Sequence, residues 1–343
     1  MAAAVSWKAV KMKEIRVTRA RKIFSNGVHN AFTSIVRFGG KSYVAFRSAT
    51  VHASCDGKIL VISSEDGNKW DVATVIEKAG LDLRDPKLTV FKNKIFLSFF
   101  VRRPQDYVIQ SFMVSSKDGK EYSEPQEIQG MPLIWGIAAR GECLYGTGYK
   151  REEDNCYHSY LFKSADGVNW EKLLAFPSPG NETAIDFDKD GTLWALVRDD
   201  QRGQVPALCK ISSPYSAIES IRHLPIKIGG PMIKRFNGAS VIIARCWSQD
   251  DAREQRYNTR ADIFILEDFK ELRHVRPLPS GGDCSYASWA DIGEGKALVS
   301  YYSSHEHSMD APCRDDKSDE KDVASSEHNT ASDIYLADIS YKN

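Results

Sequence analysis

NETAIDFDKDGTLWALVRDD, residues 181–200, reads as a β-hairpin with charged side chains at its open end. An Asp190-Gly191 turn separates two apolar runs, Ile185 and Phe187 before it and Leu193 to Val197 after it. That is the pattern of two strands joined by a tight turn. The open end then brings Glu182 close to Arg198. A carboxylate and a guanidinium so placed are either a structural ion pair or half of a site.

The same hairpin recurs along the chain. Phe32 to Arg47 turns at Gly39-Gly40, Asp85 to Arg102 at Lys92-Asn93, and Gly136 to Lys150 at Arg140-Gly141. Glu182 to Arg198 follows, then Gly230 to Arg245 with Asn237-Gly238 at its turn, and Tyr286 to Tyr302 with Glu294-Gly295. Each unit is roughly sixteen residues, enough for two ordinary strands and a turn, and the units repeat about every fifty residues. A period in that range means propeller blades or a solenoid, and the reading is an all-β, six-bladed β-propeller occupying residues 1–343 as one domain.

A second signature lies between the early hairpins: Ser64 to Trp70, Ser116 to Tyr122 and Ser164 to Trp170 each spell S-x-D-G-x-x-aromatic. Ser and Asp oxygens can bond amides across such a turn, Gly takes the positive φ, and the aromatic packs beneath the blade. Later repeats degrade it to Ser213-Pro214-Tyr215 and Glu267-Asp268-Phe269. Near the N-terminus, Ile15 to Thr18 alternates and is a candidate closing strand for the last blade. Residues 308–330, SMDAPCRDDKSDEKDVASSEHNT, are polar and charge-dense and read as an exposed, flexible insertion in the last blade. Cys313, His307 and His328 there read as stray loop residues, so no metal and no cofactor is expected.

Composition narrows the function. Lys+Arg and Asp+Glu both number 46 in 343 residues, so no global field steers the chain to nucleic acid or to an anionic membrane. An anionic ligand needs a local arginine cluster. Seven cysteines without a C-x-x-C suggest reduced core residues rather than a disulfide framework or a zinc site. No window approaches a membrane span and no leader with an apolar core is visible, so the expectation is a soluble, cytoplasmic protein. Asn181-Glu182-Thr183 matches a glycosylation sequon, a short motif that chance supplies often.

In a propeller the start of the first strand and the end of the second lie on one face of each blade. Six repeats thus project onto one mouth Arg47, Arg84 with Asp85, Arg102, Trp135, Glu182 with Arg198, Arg245, and Tyr286 with Asp283. Arginine closes the second strand in four repeats of the six. Lysine would serve solubility equally well, whereas arginine offers a planar fork for a carboxylate.

This pattern resembles the sialidase (neuraminidase) superfamily of Asp-box propellers. Within it, the chain is most similar to a bacterial-type, exo-α-sialidase-like group, through His29-Asn30-Ala31-Phe32-Thr33, Leu83-Arg84-Asp85-Pro86-Lys87, Asn181-Glu182-Thr183, Gly281 to Ala287 and Ser300 to Glu306. The likeness spans roughly residues 28–340. It implies a tyrosine nucleophile, a glutamate that takes its proton, an acid/base aspartate in the first blade and three arginines that bind the sugar carboxylate. A neutral phenol avoids the repulsion that a carboxylate nucleophile would meet at an anomeric carbon bearing a carboxylate. Carried over, Tyr286 is the nucleophile, Glu182 its base, and Arg198 and Arg245 two of the arginines, with Asp85 beside them as a substrate-binding residue.

Two departures follow. The family opens its first blade with an R-I-P triplet, and here the corresponding residues are Phe32-Thr33-Ser34, so that arginine is missing and Arg47, or Arg84 from the next blade, is the candidate to reach the same point. The acid/base falls in the loop Ser48 to Lys58, where His52 and Asp56 both qualify. The expected function is a retaining exo-glycosidase acting on terminal sialic acid or a related acidic sugar, with an acidic glycan or sialoside as its partner. The alternatives are a propeller lectin that kept the pocket without turnover, and a glycosidase or lyase acting on another acidic polysaccharide.

Overall fold

The structure, a computed structural model, describes residues 14–103, 109–177, 179–199, 201, 205–236, 238–247, 259–267, 269–307 and 331–342. The expected insertion at 308–330, with Cys313 and His328, lies outside the described residues. Among the described residues there is no helix, and the chain is all-β with six four-stranded antiparallel sheets in a propeller. None of it is a helix long and apolar enough to cross a membrane.

The first blade is His29–Phe38, Lys41–Ala49, Lys58–Ser64 and Asp71–Ile76. The second is Asp82–Phe91, Lys94–Arg102, Ile109–Ser116 and Gln126–Glu127, and the third Leu133–Arg140, Cys143–Arg151, Tyr157–Ser164 and Glu171–Ala175. The fourth is Thr183–Phe187, Leu193–Val197, Ala207–Ile211 and Ser220–His223. The fifth is Gly229–Phe236, Ala239–Trp247, Thr259–Glu267 and Glu271–Pro277. In the sixth, Cys284–Gly293, Lys296–Ser303 and Asp333–Lys342 are completed by Glu14–Phe24, antiparallel to the last of them. The segment expected from Ile15 to Thr18 is thus part of the strand that closes the ring.

Alternation within the strands explains why the blades stack. Tyr43 and Ala45, with Ile59 and Val61, join the apolar cluster shared with the second blade, while Val44 and Phe46, with Leu60 and Ile62, join the one shared with the sixth. Successive side chains of a strand point to opposite faces, so a strand buried on both reads as a continuous apolar run. Each neighbouring pair of blades encloses one such cluster. The first strand of every blade packs on the first strands of its two neighbours, lining the axis.

The turns of the first, second and sixth blades fall where the sequence puts them, while Asn237 of the expected fifth turn lies outside the described residues. Phe38 pairs with Lys41 and Phe91 with Lys94, leaving Gly39-Gly40 and Lys92-Asn93 as two-residue turns. In the third blade Arg140 itself pairs with Cys143, which moves the turn one residue on, to Gly141-Glu142. In the fourth, Phe187 pairs with Leu193 around a longer loop in which Asp190 Oδ1 accepts the Thr192 amide at 2.9 Å. The S-x-D-G turns join the third and fourth strands of the first three blades. In the third, Ser164 Oγ accepts the Gly167 amide at 2.8 Å, Asp166 Oδ1 accepts those of Val168 and Asn169, both at 2.8 Å, and Trp170 Nε1 donates to the Gly167 carbonyl at 2.9 Å.

Candidate functional site

The innermost strands share one irregularity that places the site. Five of them break register at corresponding points: Phe32-Thr33, Asp85-Pro86, Trp135-Gly136, Gly230-Pro231 and Tyr286-Ala287 each stand as two residues opposite one of the neighbouring strand, a β-bulge. The fourth blade has Glu182 immediately before its inner strand, with the Arg198 amide donating to its carbonyl at 3.2 Å. Bulges re-aim side chains, and the first residue carries a positive φ in four of the five: Phe32 62°, Asp85 49°, Gly230 52° and Tyr286 47°. Conformations of this kind cost about 1 kcal/mol or more for a residue with a Cβ.

The six positions form a ring about the axis. The Tyr286 ring packs edge-on against Phe32 at 4.9 Å and Trp135 at 5.6 Å, and its hydroxyl donates to Glu182 Oε1 at 2.7 Å. The reach from the sixth blade to the fourth passes over Gly230 of the fifth, where a Cβ would stand 2.6 Å from Tyr286 Cδ2. Glycine is required there for the two functional groups to meet. The Glu182 carboxylate is held from two further sides, by Arg198 Nη1 at 2.8 Å from Oε1 and by the Gly230 amide at 2.9 Å from Oε2. Both groups are buried, Tyr286 9% exposed and Glu182 6%. Burial first, and then the Glu182 charge, pushes the Tyr286 phenol well above its ordinary range.

Asp283 builds a second hub beside it. Its Oδ1 accepts from Tyr302 Oη at 2.6 Å and lies 3.2 Å from Arg245 Nη1, and its Oδ2 meets His29 Nε2 at 2.9 Å and His52 Nδ1 at 2.8 Å. Arg245 thus stands at the Tyr286 ring, 5.8 Å from its centroid. Burial pushes His29 down to about 4, so this ring is neutral at pH 7. Burial alone would raise Asp283, but the two imidazoles outweigh it and hold the carboxyl well below the usual range. His29, His52 and Asp283 converge closely enough to ligate a cation, their donor atoms lying within 4.8 Å of one another. Asp283 already serves both rings through one oxygen and a guanidinium through the other, an arrangement suited to holding His52 and Arg245 rather than a second positive charge.

The two residues expected to supply a third arginine are placed differently. Arg47 does not line the mouth: it is 0% exposed, its Nε donating to Asp82 Oδ1 at 2.7 Å, Nη1 to the Val51 carbonyl at 3.0 Å and Nη2 to Ser54 Oγ at 3.1 Å. It bolts the first blade to the second. Arg84 reaches the inner ring, 5.0 Å from the Phe32 centroid, with Nη1 on Asp82 Oδ2 at 2.9 Å and on the His52 carbonyl at 2.8 Å. Of the two acid/base candidates, His52 is tied to the Asp283 hub, whereas Asp56 takes the Thr50 and Ser54 hydroxyls and the Thr50 amide and braces its own loop.

Lys87 is a cation the sequence reading passed over. Its Nζ lies 4.8 Å from the Trp135 centroid and 5.9 Å from that of Tyr286, and burial lowers its pKa. The signal was Asp85-Pro86: proline in an inner strand marks a bulge, which resets the alternation and turns Lys87 toward the channel.

The architecture is a six-bladed propeller of the kind found in sialidases. No protein-family model matches the chain, and no curated protein does. A protein of unknown function from Dyadobacter fermentans superposes with a TM-score of 0.74 at 16% identity, over 96% of this chain and 100% of that one. The phage phi92 endosialidase gives 0.71 at 8% identity over 95% of this chain and 69% of that one. Trypanosoma rangeli sialidase gives 0.62 at 13% identity over 90% of this chain and 55% of that one, so the chain spans about half of that neighbour. At these identities the likeness shows the fold alone.

Proposed function

We propose that the protein is a retaining exo-glycosidase that releases a terminal sialic acid, or a related sugar with a carboxylate at its anomeric carbon, from an acidic glycan. One observation carries the reading: the Tyr286 hydroxyl and the Glu182 carboxylate meet at 2.7 Å from the sixth and fourth blades, over a glycine of the fifth that leaves them room. A phenol with a raised pKa is a poor nucleophile unless a base takes its proton as it attacks. Glu182 is within reach to do so, and its ion pair with Arg198 fixes the carboxylate's position. Arg198 and Arg245 flank the tyrosine and are the proposed contacts of the substrate carboxylate, with Arg84, Asp85 and Lys87 on the second blade completing the polar lining. A reducing, cytoplasmic setting accords with the six described cysteines, all free thiols.

The test is release of a fluorophore from an α-linked sialoside. Wild type should turn over, and Tyr286→Phe and Glu182→Gln should lose most of the rate while melting as wild type does. Phe32, standing where the resemblance puts an arginine, favours a second reading, a propeller that binds acidic glycans without cleaving them. Saturable sialoside binding with no turnover by wild type would decide for it.

A further inference from the structure

Asp85 is the one carboxyl of the inner ring whose bonding is incomplete. It is 4% exposed, its Oδ1 has no hydrogen-bond partner among the described residues, and its Oδ2 is 3.8 Å from Arg84 Nε, too far for a good hydrogen bond. Glu182, by contrast, spends both oxygens on protein donors. An orphaned buried carboxylate is costly, and one that keeps its proton is far less so. The chain also holds Asp85 at a φ of 49° in its bulge, a device that re-aims a side chain of the inner strand.

The groups around Asp85 come from several blades. Arg84 and Lys87 of its own strand and Arg47 of the first blade favour the ionised form, Glu182 across the ring opposes it, and Tyr149 and Tyr286 both feel its charge. We propose that Asp85 is the general acid of the site, the group that protonates the departing glycosidic oxygen, an inference that rests on the glycosidase reading. Burial outweighs the neighbouring cations and raises the Asp85 carboxyl to about 6, where an acid can hold a proton and still give it up.

Tyr286 Oη bonds to the anomeric carbon as its proton passes to Glu182. The glycosidic C–O bond breaks, its electron pair stays on the leaving oxygen, and that oxygen takes the Asp85 proton. In the second half a water bonds to the anomeric carbon and gives its proton to the Asp85 carboxylate, while the C–O bond to Tyr286 breaks and the phenolate recovers its proton from Glu182. This assignment moves the acid from the first-blade loop to the second blade's inner strand. His52 then orients the hub with Asp283, and Asp56 braces a loop.

Leaving-group dependence tests it, because an acidic phenol departs without help and a sugar does not. Asp85→Asn tolerates the positive φ and should slow release from a sialyl-lactose by about a hundredfold or more, the usual worth of a general acid. Release from a nitrophenyl sialoside should fall by less than about tenfold, and the fall in wild-type kcat/KM above pH 6 should vanish in the variant. Equal losses on both substrates, no loss, or leaving-group dependence in His52→Gln or Asp56→Asn instead would overturn the assignment while leaving the glycosidase reading standing. A wild-type protein inert on both substrates would remove the glycosidase reading and the assignment with it.

Discussion

Gly230→Ala separates two effects that glycine substitutions usually confound. Gly230 has a φ of 52°, and Gly39, in the turn of the first blade, has nearly the same φ of 55°. Alanine in this region costs about 1 kcal/mol at either position. A Cβ at Gly39 meets nothing within 4 Å, whereas at Gly230 it stands 2.6 Å from Tyr286 Cδ2 and 2.8 Å from Cε2. Ordinary carbon contact is about 3.5–4.0 Å, so the ring must retreat by about 1 Å. Phe32 and Trp135 pack against it, and crowding of this sort adds about 1–3 kcal/mol. The larger effect falls on chemistry: the 2.7 Å contact with Glu182 opens past hydrogen-bond range, and a misplacement of about 1 Å can cost on the order of a hundredfold in rate. Denaturant unfolding and sialoside turnover on both variants are the assays. Gly39→Ala should lose about 1 kcal/mol and no activity, and Gly230→Ala more stability and most of the turnover. Identical behaviour of the two would show that Gly230 does not set the position of Tyr286.

Three other perturbations probe Arg47, Lys87 and Asp85. Arg47→Met strands Asp82 with half its partners and should cost about 3 kcal/mol, the lower end for breaking a buried pair since Arg84 remains; an unchanged unfolding midpoint with a raised KM would put Arg47 back in the mouth. Lys87→Met removes a partly desolvated cation beside Tyr286, and we expect KM for an acidic glycoside to rise about tenfold with no loss of thermal stability. Asp85 ionises at about 6 in the fold against 3.8 ordinarily. A carboxyl raised in this way supports the fold at low pH, and that support is lost as pH rises through the folded value. At pH 7 the penalty is about 3 kcal/mol. Asp85→Asn escapes it, so its stability relative to wild type should climb between pH 4 and 7, and a pH-independent difference would contradict the burial argument.

Much of the fold was legible because turn dipeptides and apolar alternation are local. Gly39-Gly40, Lys92-Asn93 and Glu294-Gly295 announce their hairpins, and the alternation through Tyr43 to Phe46 carries the stacking of blades. The site was legible only where repetition supplied a shared frame. Glu182 and Tyr286, 104 residues apart, could be paired because both sit at the head of an inner strand. Partners that the repeat does not index stayed hidden. Asp82 claims Arg47 from 35 residues on, and no feature of the first hairpin says that its terminal arginine turns inward. The rings on Asp283 come from 254 and 231 residues away. The bulges were visible in principle at Asp85-Pro86 and Gly230-Pro231, since proline has no amide for the ladder. Reading those prolines as bulges would have brought Lys87 into the site.

Covalent trapping tests the central claim most directly. A fluorinated sialic acid activated at its anomeric carbon, such as 2,3-difluorosialic acid, lets the nucleophile attack but slows hydrolysis of the adduct. Incubated with wild type and followed by peptide mass spectrometry, it should leave one sugar residue on Tyr286, form more slowly with Glu182→Gln, and leave none with Tyr286→Phe. Hydrolysis of an acidic glycoside with no adduct on Tyr286, or at an undiminished rate in Tyr286→Phe, would show that the 2.7 Å contact with Glu182 is only packing.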